Sequence, residues 1–264
     1  PLHFESLIAY CLEPSLYSRD QFKEFIKVVE TKKQQHYPVH IKFNTGLNRL
    51  GFSLDETAAV LELLSQTSSV KAASLFSHLA ASQDWREREF TLEQILCFRK
   101  IAVKIYEKLD YEPWLHICNT SGIINYPEAA FHMVRMGIGL YGYGNDPEVD
   151  KQLKPVATLK TVISQVHKLQ EGDSVGYDRA FKAEKEMRSA TLPIGYGDGL
   201  GRNFGNQRAG VFVGETFAPI IGNVCMDMIM IDVTGIDCRE GDEVVIFGGP
   251  QHGTELARAG GTIS

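Results

Sequence analysis

Between His116 and Gly142 the sequence reads HICNTSGIINYPEAAFHMVRMGIGLYG, and its polar residues stand where two apolar runs end. The first run, Trp114–Ile117, leads into Asn119, Thr120, Ser121 and Gly122, where hydroxyls and free amides meet a helix start. A strand end followed by a helix N-terminus makes a seat for an anion. The second run, Met133–Met136, leads into Gly137, Ile138 and Gly139, a backbone that can approach a ligand closely because two of its residues lack Cβ. Arg135 interrupts that second run and requires a partner, since an unpaired buried guanidinium is costly. It reads either as a structural arginine on a barrel strand or as a ligand-binding one, and the rest of the chain favours the ligand.

Other candidates also sit at strand ends. In KFNTGLNRLGF, Lys42 and Arg49 flank a glycine turn. They read either as solvated surface charges or as a pair in which Arg49 binds an anion or oxygen while Lys42 orders it. A lysine at a barrel strand end can also carry a carbamate, which would turn Lys42 into an anion able to pair with arginine. His78 and His116 each follow an apolar strand. A lone histidine of this kind is usually a satisfied core group, but two at strand ends on one barrel face point to a site. Tyr177 and Tyr196 lie in the glycine-rich turns GYD and PIGYGDG. Both read as packing residues with a wet hydroxyl, and Tyr177 becomes an acid or base only if a cation lowers its pKa from about 10. Met226 and Asp227, in VCMD, read as a plain strand with one carboxylate.

The elements that must position these groups follow from patterning. The chain has 264 residues, 44% of them hydrophobic, enough for one large domain or two. Its net charge of −6 and lack of a basic stripe argue against nucleic acid. No apolar run reaches membrane-spanning length and PLHFESLIAY lacks a signal-peptide pattern, so a cytoplasmic protein without a membrane partner is expected. The cysteines, Cys11, Cys97, Cys118, Cys225 and Cys238, are scattered without CxxC spacing, which argues against disulfides and against a metal site.

Strands are expected at Ser6–Tyr10, Pro38–Phe43, Val70–Phe76, 114–117 and 133–136. Between them, capping pairs Ser18/Gln21, Ser53/Glu56 and Thr91/Gln94 should start amphipathic helices, the last running to about Leu109. Alternating strands and helices mean βα units around a parallel sheet. Beyond a polar hinge near Gly144–Lys154 the pattern turns to short, β-branched, glycine-punctuated strands at 156–166, 174–177, 187–192, 209–213, 218–222, 228–233 and 243–247, with one helix at Thr254–Ala259. That is a mainly antiparallel β domain. The expected division is therefore 1–146 and 147–264.

Taken in order, KFNTGLNRLGF, FSHLAASQD, HICNTSGI, FHMVRMGIGLYG, SVGYDRAF, PIGYGDGLGR and IGNVCMDMIMIDVT closely resemble the alanine racemases, over nearly the whole chain. The stretches Tyr10–Ser18 and Gln83–Phe98 also resemble the racemase half of fused ligase–racemase proteins that make cell-wall precursors. The resemblance implies a fold class of α/β plus β: a partial pyridoxal-phosphate-binding (β/α)8-type barrel followed by a mainly antiparallel C-terminal β domain. It implies interconversion of L- and D-alanine with pyridoxal 5'-phosphate (PLP), in a homodimer with shared active sites. Arg135 would bind the pyridine nitrogen and keep it unprotonated, His116 would hold Arg135, and His78 would lie against the cofactor. Asn119, Thr120, Gly137 and Ile138 would form the phosphate seat. Tyr177 would be a base acting in the partner's site, and Arg49, Met226, Asp227 and Tyr196 would surround the substrate, with Lys42 at the carbamate position.

The sequence also departs from the family. No motif like KANAYGHG, which carries the lysine that holds PLP as a Schiff base, occurs in it. Asn44 stands for the usual aspartate, Leu47 for methionine and Thr120 for serine. The start at PLHF and the stop at GTIS lead us to expect a chain cut at both ends, beginning near the fourth strand of the barrel and inactive alone, because Tyr177 supplies a base on only one face. The alternatives are a non-catalytic module that binds phosphate or forms dimers, and a racemase of another small amino acid such as serine. A metal-dependent barrel hydrolase is disfavoured, since His78 and His116 lack clustered ligands.

Overall fold

The computed structural model describes residues 3–144, 146–249 and 252–262. Asn145 in the expected hinge, and the terminal Pro1, Leu2, Ile263 and Ser264, lie outside the described residues. The chain divides into two compact units, with the division between Gly139 and Leu140.

In the first unit a parallel sheet, in the order β1-β2-β3-β4, is built from Ser15–Leu16, Tyr37–Lys42, Val70–Phe76 and Trp114–His116. Helices α2 (Arg19–Thr31), α3 (Thr57–Ser65) and α4 (Arg88–Tyr106) alternate with these strands. Ser18 caps α2 by accepting from the Gln21 N–H, while the Gln21 side chain accepts from the Tyr17 N–H. The Ser53 N–H donates to the Glu56 carboxylate ahead of α3, which completes the capping box expected there. Phe22, Phe25, Val39, Ile41, Leu75, Phe98 and Ile101 fill one buried core between helices and sheet.

Three local readings of the sequence are corrected. Ser6–Tyr10 is not a strand: Phe4–Ala9 forms helix α1, because Phe4 packs edge-on against Phe25 and the apolar spacing of Phe4, Leu7 and Ile8 is helical. Thr91 and Gln94 do not cap α4. They are buried inside it, and Asp84 instead accepts from the Arg86 N–H at the 3-10 turn that precedes the helix. Met133–Met136 is not a strand either. Among the described residues, the backbone N–H groups of His132 and Arg135 donate to the Leu115 and Cys118 carbonyls of the segment alongside, too few bonds for a ladder, and Met136 is exposed.

After the short helix α6 (Pro147–Asp150), the second unit is a curled seven-stranded antiparallel sheet in the order β5-β13-β10-β11-β12-β9-β6. Its strands are β5 (Leu159–Val162), β6 (Gln165–Leu169), β9 (Met187–Leu192), β10 (Gly210–Val213), β11 (Thr216–Ile221), β12 (Ile229–Asp232) and β13 (Glu243–Phe247). A small hairpin pairs β7 (Ser174–Val175) with β8 (Phe181–Lys182), and helix α7 spans Gly253–Ala259. The strands at the two ends of the order, β5 and β6, are neighbours in sequence. Between them the Ile163 N–H donates to Asp242 and the Ser164 N–H to Thr191, so the chain itself closes the curl. Inward residues such as Ala190, Leu192, Val211, Ile220, Ile231 and Val244 form the second core.

Candidate active site

Pairing across the first sheet sets side chains in rows. Lys42 of β2 lies beside Phe76 of β3, and Phe76 beside His116 of β4. The Lys42 ammonium sits 5.8 Å from the Phe76 ring centroid, and the Phe76 and His116 rings stack 5.0 Å apart at an interplanar angle of 5°. The Arg135 guanidinium covers the same Phe76 ring at 5.3 Å. This is a cation–aromatic stack at the C-terminal end of a parallel sheet, where barrels of this kind keep their chemistry.

Arg135 is held from several sides. One terminal nitrogen donates to His116 Nδ1 in a short contact, and the other donates to the Ser77 carbonyl at 2.6 Å and toward His78 Nδ1 at 3.3 Å. His116 is buried, and burial together with Arg135 pushes its pKa down to about 3. His78 falls to about 4, through burial first and then the charges of Arg135, Arg49 and Lys42. Burial and the same two arginines lower Lys42 from its ordinary value. Both histidines are therefore neutral at pH 7 and add no charge to a cluster of three cations. Among the described residues, none of Lys42, Arg49 and Arg135 forms an ion pair with a carboxylate. Concentrated positive charge without an internal counter-ion is an environment suited to an anion.

The loop after β3 owes its position to Gln94. That buried side chain accepts from the Ala80 N–H at 2.9 Å and donates to the His78 carbonyl at 3.2 Å, fixing His78 to α4. Asn119 caps helix α5 (Thr120–Asn125) by accepting from the Gly122 N–H, and it accepts from Ser82 as well. Thr120 Oγ1 accepts from the N–H groups of Gly137 and Gly139, each at 3.1 Å, and so gathers that backbone beside the helix start. A Cβ at Gly137 would meet open space, whereas one at Gly139 would strike the Thr120 methyl at 2.8 Å. Ile138 opens a short 3-10 turn after Gly137.

In the second unit, Tyr177, Tyr196 and Met226 converge on a cleft of about 570 Å³ with Arg202, Asn223 and Cys225. Tyr177 and Met226 border a second hollow with Asp227. Tyr177 is 71% exposed and follows Gly176 at φ +74°, while Asp178 and Arg179 after it both hold left-handed backbone. Such consecutive positive φ values in residues with side chains mark a turn held under strain. Asn223 steadies it by donating to the Tyr177 carbonyl at 3.3 Å. The Arg202 guanidinium lies 4.6 Å from the Tyr196 ring centroid.

Comparison with known proteins bears on both units. Residues 1–145 match the family model described as alanine racemase, N-terminal domain, and residues 156–264 match alanine racemase, C-terminal domain. The chain belongs to the alanine racemase family. It is 36% identical to the alanine racemase of Clostridium tetani, over 92% of this chain and 64% of that relative. It is likewise 36% identical to that of Treponema denticola, over 97% of this chain and 70% of the relative. The chain thus spans just under two thirds of the first of these racemases. Among solved structures it resembles the alanine racemase of Clostridium difficile 630, with a TM-score of 0.88 at 27% identity, covering 99% of this chain and 69% of that one. It also resembles the alanine racemase from Bartonella henselae with covalently bound pyridoxal phosphate, with a TM-score of 0.81 at 25% identity, covering 99% and 71%.

Against the racemase pattern, Asn44 has a local role of its own. Its side-chain oxygen accepts from the N–H groups of Gly46 and Asn48, shaping the turn that carries Arg49. As an amide it brings no negative charge to the Lys42–Arg49 pair. Sequence reasoning missed Ser77 and Phe76 beside Arg135, and Arg202 and Asn223 in the second-unit cleft. Arg202 had a signal in the glycine-rich GYGDGLGR turn. Ser77 acts through its backbone, which no side-chain pattern announces.

Proposed function

We propose that this chain provides the ring- and phosphate-binding part of a cytoplasmic, PLP-dependent racemase that interconverts L- and D-alanine. The observation that carries the reading is Arg135, fixed by a neutral buried histidine amid cations that have no carboxylate partner among the described residues. The donor set fits PLP: a guanidinium that only donates for the ring nitrogen, and the Thr120 hydroxyl hydrogen with the Ile138 N–H, beside the close-lying Gly137 backbone, for the phosphate. Bound PLP supplies the electron-withdrawing system that acidifies the α-C–H of an amino acid. Arg135 keeps its protons even where burial lowers its pKa, so it donates a hydrogen bond to the ring nitrogen without transferring a proton. His78, neutral at pH 7, would stand against a bound ring without adding charge.

Tyr177 moves the α-proton on one face and acts in a site completed by a second copy of the chain. Arg49, Met226, Asp227 and Tyr196 bound the substrate. Lys42 is the carbamate candidate, because its lowered pKa enriches the neutral amine that reacts with CO2. The lysine that would hold PLP covalently is not identified among these residues, and on this reading the chain alone does not turn over.

The test is borohydride reduction of the chain after incubation with PLP, followed by peptide mapping and an alanine racemisation assay. The expected result is no single labelled lysine and no activity, alongside saturable non-covalent PLP binding. A single labelled lysine in an active protein would overturn the inactivity. Absence of any PLP binding would overturn the cofactor assignment and leave a dimer-forming module.

A further inference from the structure

A chain of hydrogen bonds runs from the Arg135 guanidinium back along the same face of the sheet to an exposed carboxylate. Arg135 contacts His116 Nδ1, His116 Nε2 lies 2.9 Å from Ser74 Oγ, and Ser74 Oγ lies 2.6 Å from His40 Nδ1. His40 Nε2 then lies 2.9 Å from the Glu13 carboxylate. Ser74 and His116 are buried, His40 is part-buried and Glu13 is exposed.

The ends of this chain fix its direction. A guanidinium has only N–H donors and an ionised carboxylate only acceptors. Arg135 therefore requires an unprotonated Nδ1 on His116, which leaves the His116 proton on Nε2, donating to Ser74. With His40 as a neutral ring, the single Ser74 hydrogen then donates to His40 Nδ1, and the His40 Nε2–H donates to Glu13. Every donor points outward, and each ring has one allowed neutral tautomer.

The fold builds this alignment deliberately. Strands β2 and β3 run in register from Tyr37 with Val70 to Val39 with Ala72, and then His40 pairs with Ser74, so Ala73 is an extra residue in β3. That bulge brings Ser74, rather than Ala73, opposite His40, and bulges commonly re-aim side chains in this way. His40 and Ser74 form one row on the face that carries Lys42 and Phe76 in the next, since strand residues two apart share a face.

We propose that Glu13, His40 and Ser74 are positioning residues for Arg135, forming a one-way relay that holds His116 as an acceptor toward the guanidinium. The proposal rests on the PLP reading for its purpose but not for its geometry. Replacing Glu13 by glutamine supplies an N–H at the outer end and allows the relay to reverse, whereas Ser74→Ala cuts it in the middle.

The test uses two-bond 1H–15N spectra of the histidine rings in the labelled, cofactor-free chain, which report the tautomer of each ring. Wild type should show Nε2–H tautomers at both His40 and His116. Glu13→Gln, at the surface, should convert His40 to a mixture and shift the His116 nitrogens, and Ser74→Ala should shift His116 while releasing His40. PLP titration should then show about two- to tenfold weaker binding for both variants, the loss of one net hydrogen bond, with Ser74→Thr restoring it. An Nδ1–H tautomer at either ring, or His116 resonances indifferent to both variants, would overturn the relay. Wild-type tautomers as expected in a chain that binds no PLP would uphold the relay and refute only the cofactor reading.

Discussion

Arg135 donates into His116 Nδ1, and that one contact fixes the charge state of the ring as well as its orientation. A buried imidazole facing a guanidinium cannot accept a second proton without placing two cations in contact. The same logic applies more weakly to His78 on the other terminal nitrogen.

Stability should therefore fall with acid in a defined window. Unfolded histidine titrates near about 6.5, whereas His116 and His78 are held to about 3 and about 4 in the fold. Between those values the unfolded chain binds more protons, so stability is fully present at pH 7 and is lost as pH drops from about 6.5 toward 4. Urea titrations across that range should show the slope, and His116→Asn should flatten it. An equal slope in the variant would show that other groups govern the acid limb.

Removing the acceptor while keeping the ring should still be costly. His116→Phe keeps an aromatic ring to stack on Phe76 but leaves a half-buried guanidinium facing a hydrocarbon edge. The expected loss is about 1–3 kcal/mol at pH 7. The double variant His116→Phe/Arg135→Met should recover part of it in a double-mutant cycle. No recovery would mean that the two residues do not act as a pair.

The two glycines at the phosphate seat should separate fold from binding. Gly137→Ala adds a methyl to open space and should leave the melting temperature nearly unchanged while weakening PLP binding. Gly139→Ala drives a Cβ into Thr120, which also accepts both glycine N–H groups, and should cost stability and binding together. Thermal melts with parallel PLP titrations measure both. Equal effects at the two positions would remove the distinction.

Lys42 should take up CO2. Its lowered pKa leaves more free amine, and a carbamate there would face Arg49 and Arg135 with opposite charge. Incubation with 13C-bicarbonate should give a carbamate carbonyl resonance that disappears in Lys42→Met. A resonance that persists in the variant would assign the carbamate elsewhere.

Tyr177→Phe should leave the fold within about 0.5 kcal/mol, because the ring is exposed. In any preparation that racemises alanine, deuterium exchange at Cα should fall by about two to four orders of magnitude. The loss should be far greater for one enantiomer than for the other. Equal losses for both would count against a one-sided base.

Much of this arrangement was legible in the sequence, for local reasons. Val70–Phe76 is a strand over the expected residues, because VKAASLF, ending at SHLA, is mostly small or apolar and has no helical period. The Ser53 and Ser18 caps were readable since a capping box is a spacing rule. Arg135 stood out as a cation in an apolar run, and its need for a partner is met by His116. Other features depend on tertiary structure. Thr91 and Gln94 have the capping spacing but serve burial and loop anchoring instead. Ser6–Tyr10 has a strand-like composition, yet Phe25 draws Phe4 into a helix. His40 and Ser74 lie in different strands, and their meeting depends on a one-residue bulge that no residue type announces.

The curled sheet of the second unit closes through its own backbone, since only Ile163 and Ser164 separate the strands at the two ends of its order. A circularly permuted chain opened at the Gly214 turn, between β10 and β11, would cut a hairpin and leave that closure intact. New termini placed at Ser164 would instead split the sheet where its two ends join. They would release β5 and β6, the outer strands of that order, as edges of the kind that add to other chains. The same connection that joins the two ends of the sheet is thus the place where a nick would turn this unit into a template for aggregation.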